Sequence, residues 1–452
     1  MRSPATAYLS SFLNYETQSL QNKDVIFNLA RIERLLAELH HPQRKYPVIH
    51  VVGTKGKGST CLFLSSMLRE AGLKVGIYTS PHLYSYAERI RILRPKASFS
   101  KEENIFSGKI SQSQLEKMIK EIRPKVEEVR RVKALGPLTF FEVYTALAFY
   151  FFAQQKVDVV VAEAGLGGRF DATNMAPSEI CVFSPISYDH TQVLGSTLKE
   201  IAQEKAAIIK ASTRIVFSAP QKAQARLVIE KQAKKFGLKV LMVGREIRYH
   251  MISQNSSGVM FSLKGLYHSW PKLCSLLLGE HQVVNASLAA AVVEYFLKHK
   301  DRLVKSAVTK GIAKARWPAR FEILRQNPFV VIDSAHNEDS ARRLAQTVRA
   351  IFPKQRIILL FGASKDKDIK AILKELSPVS DQIILTHSQH PRSFDFSEHG
   401  KKFLKARKVC MSKNAQEGFQ LAKTMACTND VILIAGSVFL AAEIRKICIA
   451  KI

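Results

Sequence analysis

Cysteine, acidic side chains and long apolar runs are all in short supply here, and each shortage argues against a class of protein. The six cysteines, Cys61, Cys181, Cys274, Cys410, Cys427 and Cys448, are scattered, with no CxxC pair and no histidine cluster at metal-ligand spacing. That pattern leads away from a disulfide framework or a zinc site and towards reduced, buried thiols. No run approaches the roughly 18 apolar residues of a membrane span, and the first helix-like stretch carries Glu16 and Asp24. A cytoplasmic protein with no membrane partner is expected. Nothing is low in complexity, and 46% apolar with 23% charged residues leaves little room for extensive disorder.

Asp and Glu number 38 against 68 Lys and Arg, so the formal charge is +30 and a positive field must cover much of the surface. Nucleic acid is the first partner that such a field suggests. The basic residues are spread along the chain, however, without a nucleic-acid module or an aromatic-interleaved patch, so no nucleic-acid partner is expected. An enzyme handling ATP and a polyanionic small molecule would benefit from the same field.

At 452 residues the chain should divide into domains, and two are expected. Apolar positions from Asn28 to His40 have helical spacing; Pro42 and Pro47 break the pattern, and Val48 to Val52 form a short run, apolar except for His50. A glycine-rich turn, Gly53 to Gly58, leads to a helix from Thr60 to Glu70 and a strand from Val75 to Thr79, a βαβ unit. Alternation continues with a helix at Phe140 to Phe152, strands at Val157 to Glu163 and Ile180 to Pro185, a helix at Leu198 to Ile209 and a strand at Ile215 to Ser218. The sheet should be mostly parallel. Ile247 to Leu278 reads as an antiparallel edge or meander, and a helix from Val283 to Leu297 closes the domain. After Trp317 and Pro318 a second βα series begins, with strands at Val330 to Asp333, Ile357 to Phe361, Gln382 to Thr386 and Val431 to Ala435. The boundary falls near residues 300 to 320, giving domains 1–305 and 306–452.

Gly53-Thr54-Lys55-Gly56-Lys57-Gly58-Ser59-Thr60 follows a strand and opens a helix, where backbone N–H groups and the helix dipole can hold phosphates. It departs from the standard P-loop pattern, because Gly58 sits between Lys57 and Ser59. A tight strand-to-helix turn is the bland alternative, but two lysines and three glycines in eight residues favour an anion. Lys57 would meet the β and γ phosphates, with Ser59 or Thr60 near a magnesium-bound phosphate. Glu163 ends an apolar strand, suits a magnesium ligand and leads into Gly165-Leu166-Gly167-Gly168-Arg169-Phe170-Asp171. Asp189 and His190 follow another strand; a satisfied structural histidine is the physical default for His190. Lys205 lies on an otherwise apolar helix, which leaves either a snorkelling or a modified lysine. Asp333 and His336 sit at a strand end, and Asp366 with Lys367 follows the strand ending at Phe361.

In order, these segments resemble the folylpolyglutamate synthase and dihydrofolate synthase family, a branch of the Mur ligase superfamily. The likeness spans about Asn28 to Leu440 and rests on HVVGTKGKGST (50–60), TSPHL (79–83), ERIRI (88–92), TFFEVYTALAF (139–149), EAGLGGRFDATN (163–174), DHTQVLG (189–195), EKAAIIK (204–210), GEHQVVNA (279–286), WPARFE (317–322), DSAHN (333–337), GASKDKD (362–368) and AGSVFL (435–440). It implies a P-loop-containing, Mur-ligase-like α/β ATPase domain with a mostly parallel sheet, plus a smaller Rossmann-like α/β domain. It further implies that Ser80, Glu163 and His190 bind magnesium, and that Lys205, if carbamylated, bridges a second ion; potassium is a further expected cofactor. Gly53, Thr54, Gly56, Lys57, Gly58, Ser59, Thr60, Asn285, Arg320, Asp333 and His336 would contact ATP. Ser80, Thr139, Phe140, Gly168, Arg169 and Asp171 would face the pterin-containing substrate, and Lys57, Lys205 and His190 would serve catalysis. Lys55 departs from the family's usual asparagine, Ala164 from a larger apolar residue, Ser334 from glycine and Glu338 from proline, and the stretch Arg94 to Lys109 is longer and more basic than usual.

The implied chemistry is transfer of the ATP γ-phosphoryl to a dihydropteroate or reduced-folate carboxylate, then attack by the L-glutamate amine, in a monomer. Two other readings stand beside it. A cell-wall Mur ligase would use a nucleotide-sugar substrate by the same route, and a nucleic-acid-binding P-loop ATPase would exploit the +30 charge.

Overall fold

The computed structural model describes residues 4–14, 28–95, 106–298, 300–396 and 409–449; the stretch holding Glu16 and Asp24, and residues 96–105 of the basic stretch, lie outside these. Two compact units form. One comprises Met1–Tyr249, Leu263–Pro271 and Val284–Lys314, the other His250–Ser262, Lys272–Val283 and Ala315–Ile452. The units interleave in sequence, so neither is a single contiguous stretch.

The first unit is built on seven strands: β1 (Val48–Val52), β2 (Val75–Tyr78), β3 (Ile90–Leu93), β4 (Val159–Glu163), β5 (Ile180–Phe183), β6 (Ile215–Ser218) and β7 (Val240–Met242). Their order is β3-β2-β4-β1-β5-β6-β7. Every pairing is parallel except β2 with β3. β1 and β4 are buried along their whole length, because central parallel strands are covered on both faces and therefore read as continuous apolar runs. Three further strands, β8 (Arg248–Asn255), β9 (Gly258–Lys264) and β10 (Ser269–Ser275), form a sheet in which consecutive strands are neighbours.

The second unit holds a six-stranded sheet, from β11 (Glu322–Arg325), β12 (Phe329–Ile332), β13 (Ile357–Phe361), β14 (Gln382–Leu385), β15 (Val409–Met411) and β16 (Val431–Ala435), ordered β11-β12-β16-β13-β14-β15. Only the β11–β12 pairing is antiparallel. The expectation of six buried thiols is corrected: Cys61, Cys181 and Cys448 are buried, Cys274 and Cys427 are exposed, and Cys410 is between. Among the described residues no helix is long and apolar enough to cross a membrane.

The helix Phe140–Gln154 is apolar around nearly its whole circumference and forms the middle of a large core. Its start is a capping box read directly from Thr-Phe-Phe-Glu: Thr139 Oγ1 accepts from Glu142 N at 3.2 Å, and Glu142 Oε2 accepts from Thr139 N at 2.7 Å. Glu142 also meets buried Arg31, Nε to Oε1 at 2.9 Å. Burial pushes the Glu142 carboxyl upward, while Arg31 and the Thr139 bonds oppose that shift. Removing one partner of a buried pair leaves an uncompensated charge, so Arg31→Met is expected to lower the unfolding free energy by about 3–5 kcal/mol. Urea unfolding followed by circular dichroism checks this. The Arg31→Met/Glu142→Gln double variant, which removes the charge but keeps an acceptor for Thr139 N, should recover most of the loss, and an Arg31→Met variant unfolding at the wild-type midpoint would refute the importance of the pair.

Candidate active site

Because β1 lies between β4 and β5, three strand ends emerge side by side; in register, Val51 pairs with Glu163 and Val52 with Phe183. The loop after β1 is seated on the segment after β5. Thr54 N and Lys55 N donate to Pro185 O at 2.9 and 3.2 Å, and Thr54 Oγ1 donates to Ser187 O and accepts from Ser187 N, both at 3.0 Å. Only glycine fits at Gly53: a Cβ there would stand 2.1 Å from Ser184 Oγ and 2.7 Å from its carbonyl oxygen.

Gly56, at φ +87°, starts a helix that runs Lys57–Glu70 without a side-chain cap. Sequence reasoning places this start at Thr60; the actual start brings Lys57, Gly58, Ser59 and Thr60 into the first turn. Thr60 Oγ1 donates to Gly56 O at 2.8 Å, and buried Asn285 stands against Gly56, its Oδ1 2.6 Å from where a Cβ would be. Thr60 N also donates to Gly56 O, at 2.9 Å, which leaves the N–H groups of Lys57, Gly58 and Ser59 without intrahelical partners and pointing, with the positive dipole end, at whatever anion binds.

Charged side chains gather around this turn. Lys57 Nζ lies 3.9 Å from Glu163 Oε1, and Glu163 Oε2 accepts from Ser80 N at 3.1 Å. Lys55 Nζ is 2.9 Å from Asp189 Oδ2. His190, in the left-handed region at φ 50° and 46% exposed at its side chain, has Nε2 3.8 Å from Asp189 Oδ1. Lys205 is 5% exposed. Burial first, and then the charge of Lys57, lowers its ammonium to about 7; Lys55 adds to the shift, while Asp189 and Asp171 resist it. Among the described residues no group of three or more His, Cys, Asp or Glu could hold a metal by itself. One carboxylate and one hydroxyl residue nonetheless fit magnesium, a hard ion that usually completes its shell with phosphate and water.

The loop after β4 folds on its own aspartate. Asp171 Oδ2 accepts from Leu166 N at 2.8 Å and Oδ1 from Thr173 N at 3.0 Å, with the Thr173 hydroxyl as a further donor to Oδ1. Burial raises its carboxyl, and these bonds oppose that rise. Gly168 rests on the helix Leu198–Ala206, where a Cβ would fall within 2.8–3.0 Å of Glu204 O, Lys205 O and Lys205 Cα. Arg169 is tied to the same helix through Glu204, N to O at 2.8 Å and Nε to Oε1 at 2.9 Å.

Thr139 and Phe140, expected to face a substrate, belong to the helix cap and the core. Phe140 is 1% exposed, stacked on Tyr144 with ring centroids 5.3 Å apart and flanked by Tyr86 at 4.9 Å. The partly buried neighbour, Phe141, packs over Gly165, 2.5 Å from where a Cβ would stand, and 6.0 Å from the Tyr78 ring. Adjacent helix positions differ by about 100° in direction, so spacing alone could not choose between the two phenylalanines. Glu88 was also missed. Its carboxylate accepts from Leu83 N, Tyr84 N and Ser85 N at 2.7, 2.9 and 2.8 Å and shapes the loop after Ser80. The signal was the Ser85-x-x-Glu88 capping box.

In the second unit Asp333 follows β12, with Oδ2 accepting from Phe321 N at 2.8 Å and Oδ1 from Ala335 N at 2.7 Å. Burial raises its carboxyl, and the charge of Arg320 opposes this. His336 Nδ1 donates to Ser334 O at 2.8 Å, which sets its tautomer. His281, not singled out from sequence, is lowered to about 3 by burial and by Arg343 and Arg320. Asp366 pairs with Arg392 at 2.8 Å and Lys367 at 3.2 Å.

Residues 136–293 match the Mur ligase middle domain and residues 319–438 the Mur ligase glutamate ligase domain. The Bacillus subtilis (strain 168) dihydrofolate synthase/folylpolyglutamate synthase is 33% identical over 425 residues, covering 92% of this chain and 94% of that protein. The Escherichia coli (strain K12) protein of the same name is 29% identical over 458 residues, with 99% and 97% covered. Among solved structures, Mycobacterium tuberculosis folylpolyglutamate synthase complexed with ADP and AMPPCP aligns with a TM-score of 0.84 at 32% identity, covering 94% of this chain and 96% of that one. E. coli FolC in complex with DHPP and ADP aligns at 0.83 and 28% identity, with 99% and 98% covered. Two matched Mur ligase domains, and near-complete coverage at one-third identity, establish that this chain belongs to the dihydrofolate synthase/folylpolyglutamate synthase family of Mur ligases.

Proposed function

We propose that the chain is an ATP-dependent acid–amino-acid ligase that joins L-glutamate to dihydropteroate, to the glutamate tail of a reduced folate, or to both. The observation that carries this reading is the uncapped first turn of the Lys57–Glu70 helix, with Lys57 and Glu163 facing each other 3.9 Å apart beside it. Such a turn binds phosphates, and a lysine next to a carboxylate can receive a phosphate and a cation with little net change of local charge. Relatives named for both activities, and the E. coli structure with DHPP and ADP, support the choice of acceptor.

An acceptor carboxylate oxygen attacks the γ-phosphorus of ATP, the bond to the bridging oxygen breaks, and ADP leaves an acyl phosphate. The glutamate amine, its ammonium proton lost to solvent, attacks the acyl carbon; phosphate departs with the C–O electron pair, takes up the second proton that the nitrogen releases, and an amide remains. Lys57 and the first-turn N–H groups offset charge on the transferring phosphoryl. Gly53, Thr54, Gly56, Gly58, Ser59, Thr60 and Asn285 are assigned to the phosphate cradle, and Arg320, Asp333 and His336 are assigned to ATP by the family resemblance alone. Ser80, Gly168, Arg169 and Asp171, with the partly buried Phe141 in place of Phe140, serve the acceptor side, and Thr139 acts only by capping the helix that carries Phe141. Glu163, Ser80 and His190 would hold magnesium, which supplies charge neutralisation at the phosphates. No described residue set is assigned to potassium. The same reading expects a cytoplasmic monomer with no nucleic-acid or membrane partner.

Purified protein with ATP, magnesium and glutamate should release ADP and add one glutamate by mass to dihydropteroate, tetrahydrofolate or both. Silence with every pterin would overturn the acceptor assignment and favour the nucleotide-sugar ligase. Lys205 carries a second expectation. Its lowered ammonium is mostly neutral above about pH 7, and only the neutral amine reacts with carbon dioxide to give a carbamate and a proton. A carbamate signal from 13C-bicarbonate is therefore expected by NMR at pH 8, fading towards pH 6 and absent from Lys205→Met. A wild-type spectrum without it at pH 8 would exclude the modified lysine.

A further inference from the structure

His50 is the one polar residue of β1 and is 0% exposed. Its Nε2 lies 2.8 Å from Thr173 Oγ1, and the Thr173 hydroxyl donates to Asp171. A hydroxyl has one proton, so with that proton on Asp171 the histidine must be the donor. His50 is therefore the Nε2–H tautomer. Burial, reinforced by the charge of Lys210, lowers its pKa to about 3, so the ring stays neutral. Lys210 grips the next residue, Nζ donating to Asn174 O and, at 3.2 Å, to Asn174 Oδ1. Asp171 in turn holds Leu166 N and Thr173 N.

These contacts form one continuous path. It starts on β1, three residues before Gly53, and ends at the turn that carries Gly168 and Arg169. Any buried imidazole N–H needs an acceptor; this one donates into a hydroxyl already committed to a buried carboxylate, so its bond ties β1 to the loop after β4.

We propose that His50 is a positioning residue: through Thr173 and Asp171 it fixes the acceptor loop to the strand that bears the phosphate loop, so that acceptor carboxylate and ATP are held in register. The inference rests on the function proposed above, in which the loop after β4 serves the acceptor. Small misplacements of reacting groups lower rates steeply, which gives such a tie its value.

Four variants test it. His50→Leu keeps the volume and removes the donor, whereas His50→Gln keeps a donor; Thr173→Val removes the relay hydroxyl, whereas Thr173→Ser keeps it. His50→Leu and Thr173→Val are expected to raise the acceptor KM about tenfold, the usual weight of a buried hydrogen bond, with the ATP KM within about twofold of wild type. Gln and Ser should stay near wild type, and the Leu/Val double variant should be no worse than either single one. Equal behaviour of Leu and Gln, or parallel movement of both KM values, would overturn the proposal. Amide hydrogen exchange over residues 165–173 needs no substrate, and faster exchange in Leu and Val but not in Gln and Ser is expected. If the wild type glutamylates no pterin, the functional reading fails; if exchange is also the same in all four variants, the positioning role fails independently.

Discussion

Everything at the candidate site depends on β1 sitting between β4 and β5 in parallel register. Parallel strands bring their carboxyl ends to one edge, and open α/β sheets bind ligands there. Here that edge delivers the phosphate loop, Glu163 and the segment from Ser184 to His190 to one place. The contact is tight: Gly53 lies so close to Ser184 that no side chain fits. The loop is therefore built against its neighbour, and the helix that follows begins at Lys57 with its N–H groups turned outward.

Electrostatics then follow from packing. The whole chain carries +30, but the local balance matters more. Lys57 faces Glu163 and Lys55 faces Asp189, so two of the lysines are partnered before any ligand arrives. Lys205 is not carried in the same way. Burial and two neighbouring lysines press it towards the neutral amine, while Asp189 and Asp171 oppose the shift. A surface lysine would never reach that state. The acceptor loop is held through its own interior: Asp171 bonds its backbone, Gly168 lies on the Lys205 helix, and His50 and Lys210 support it through Thr173 and Asn174.

The central strands of both sheets were legible because burial on two faces writes an uninterrupted apolar run. The short edge strands β3, β7, β11 and β15, three or four residues each, were not, since so few residues carry no period. The phosphate loop was legible by composition, yet its helix begins at Lys57 instead of Thr60, because glycine and lysine in the first turn disguise a helix start. Thr139 and Glu142 were readable as a capping box, but which phenylalanine after Thr139 stays accessible depends on tertiary packing. His50 stood out as the polar exception in an apolar run. Its partner, 123 residues away, was invisible until the sheet was assembled.

The opposition of Lys57 and Glu163 is the point at which fold becomes chemistry, and calorimetry of AMPPCP binding with and without magnesium tests it most directly. Wild-type affinity is expected to rise about tenfold or more on adding magnesium, while Glu163→Gln keeps its magnesium-free affinity and loses most of that gain. A Glu163→Gln variant that gains as much from magnesium as the wild type would contradict the account.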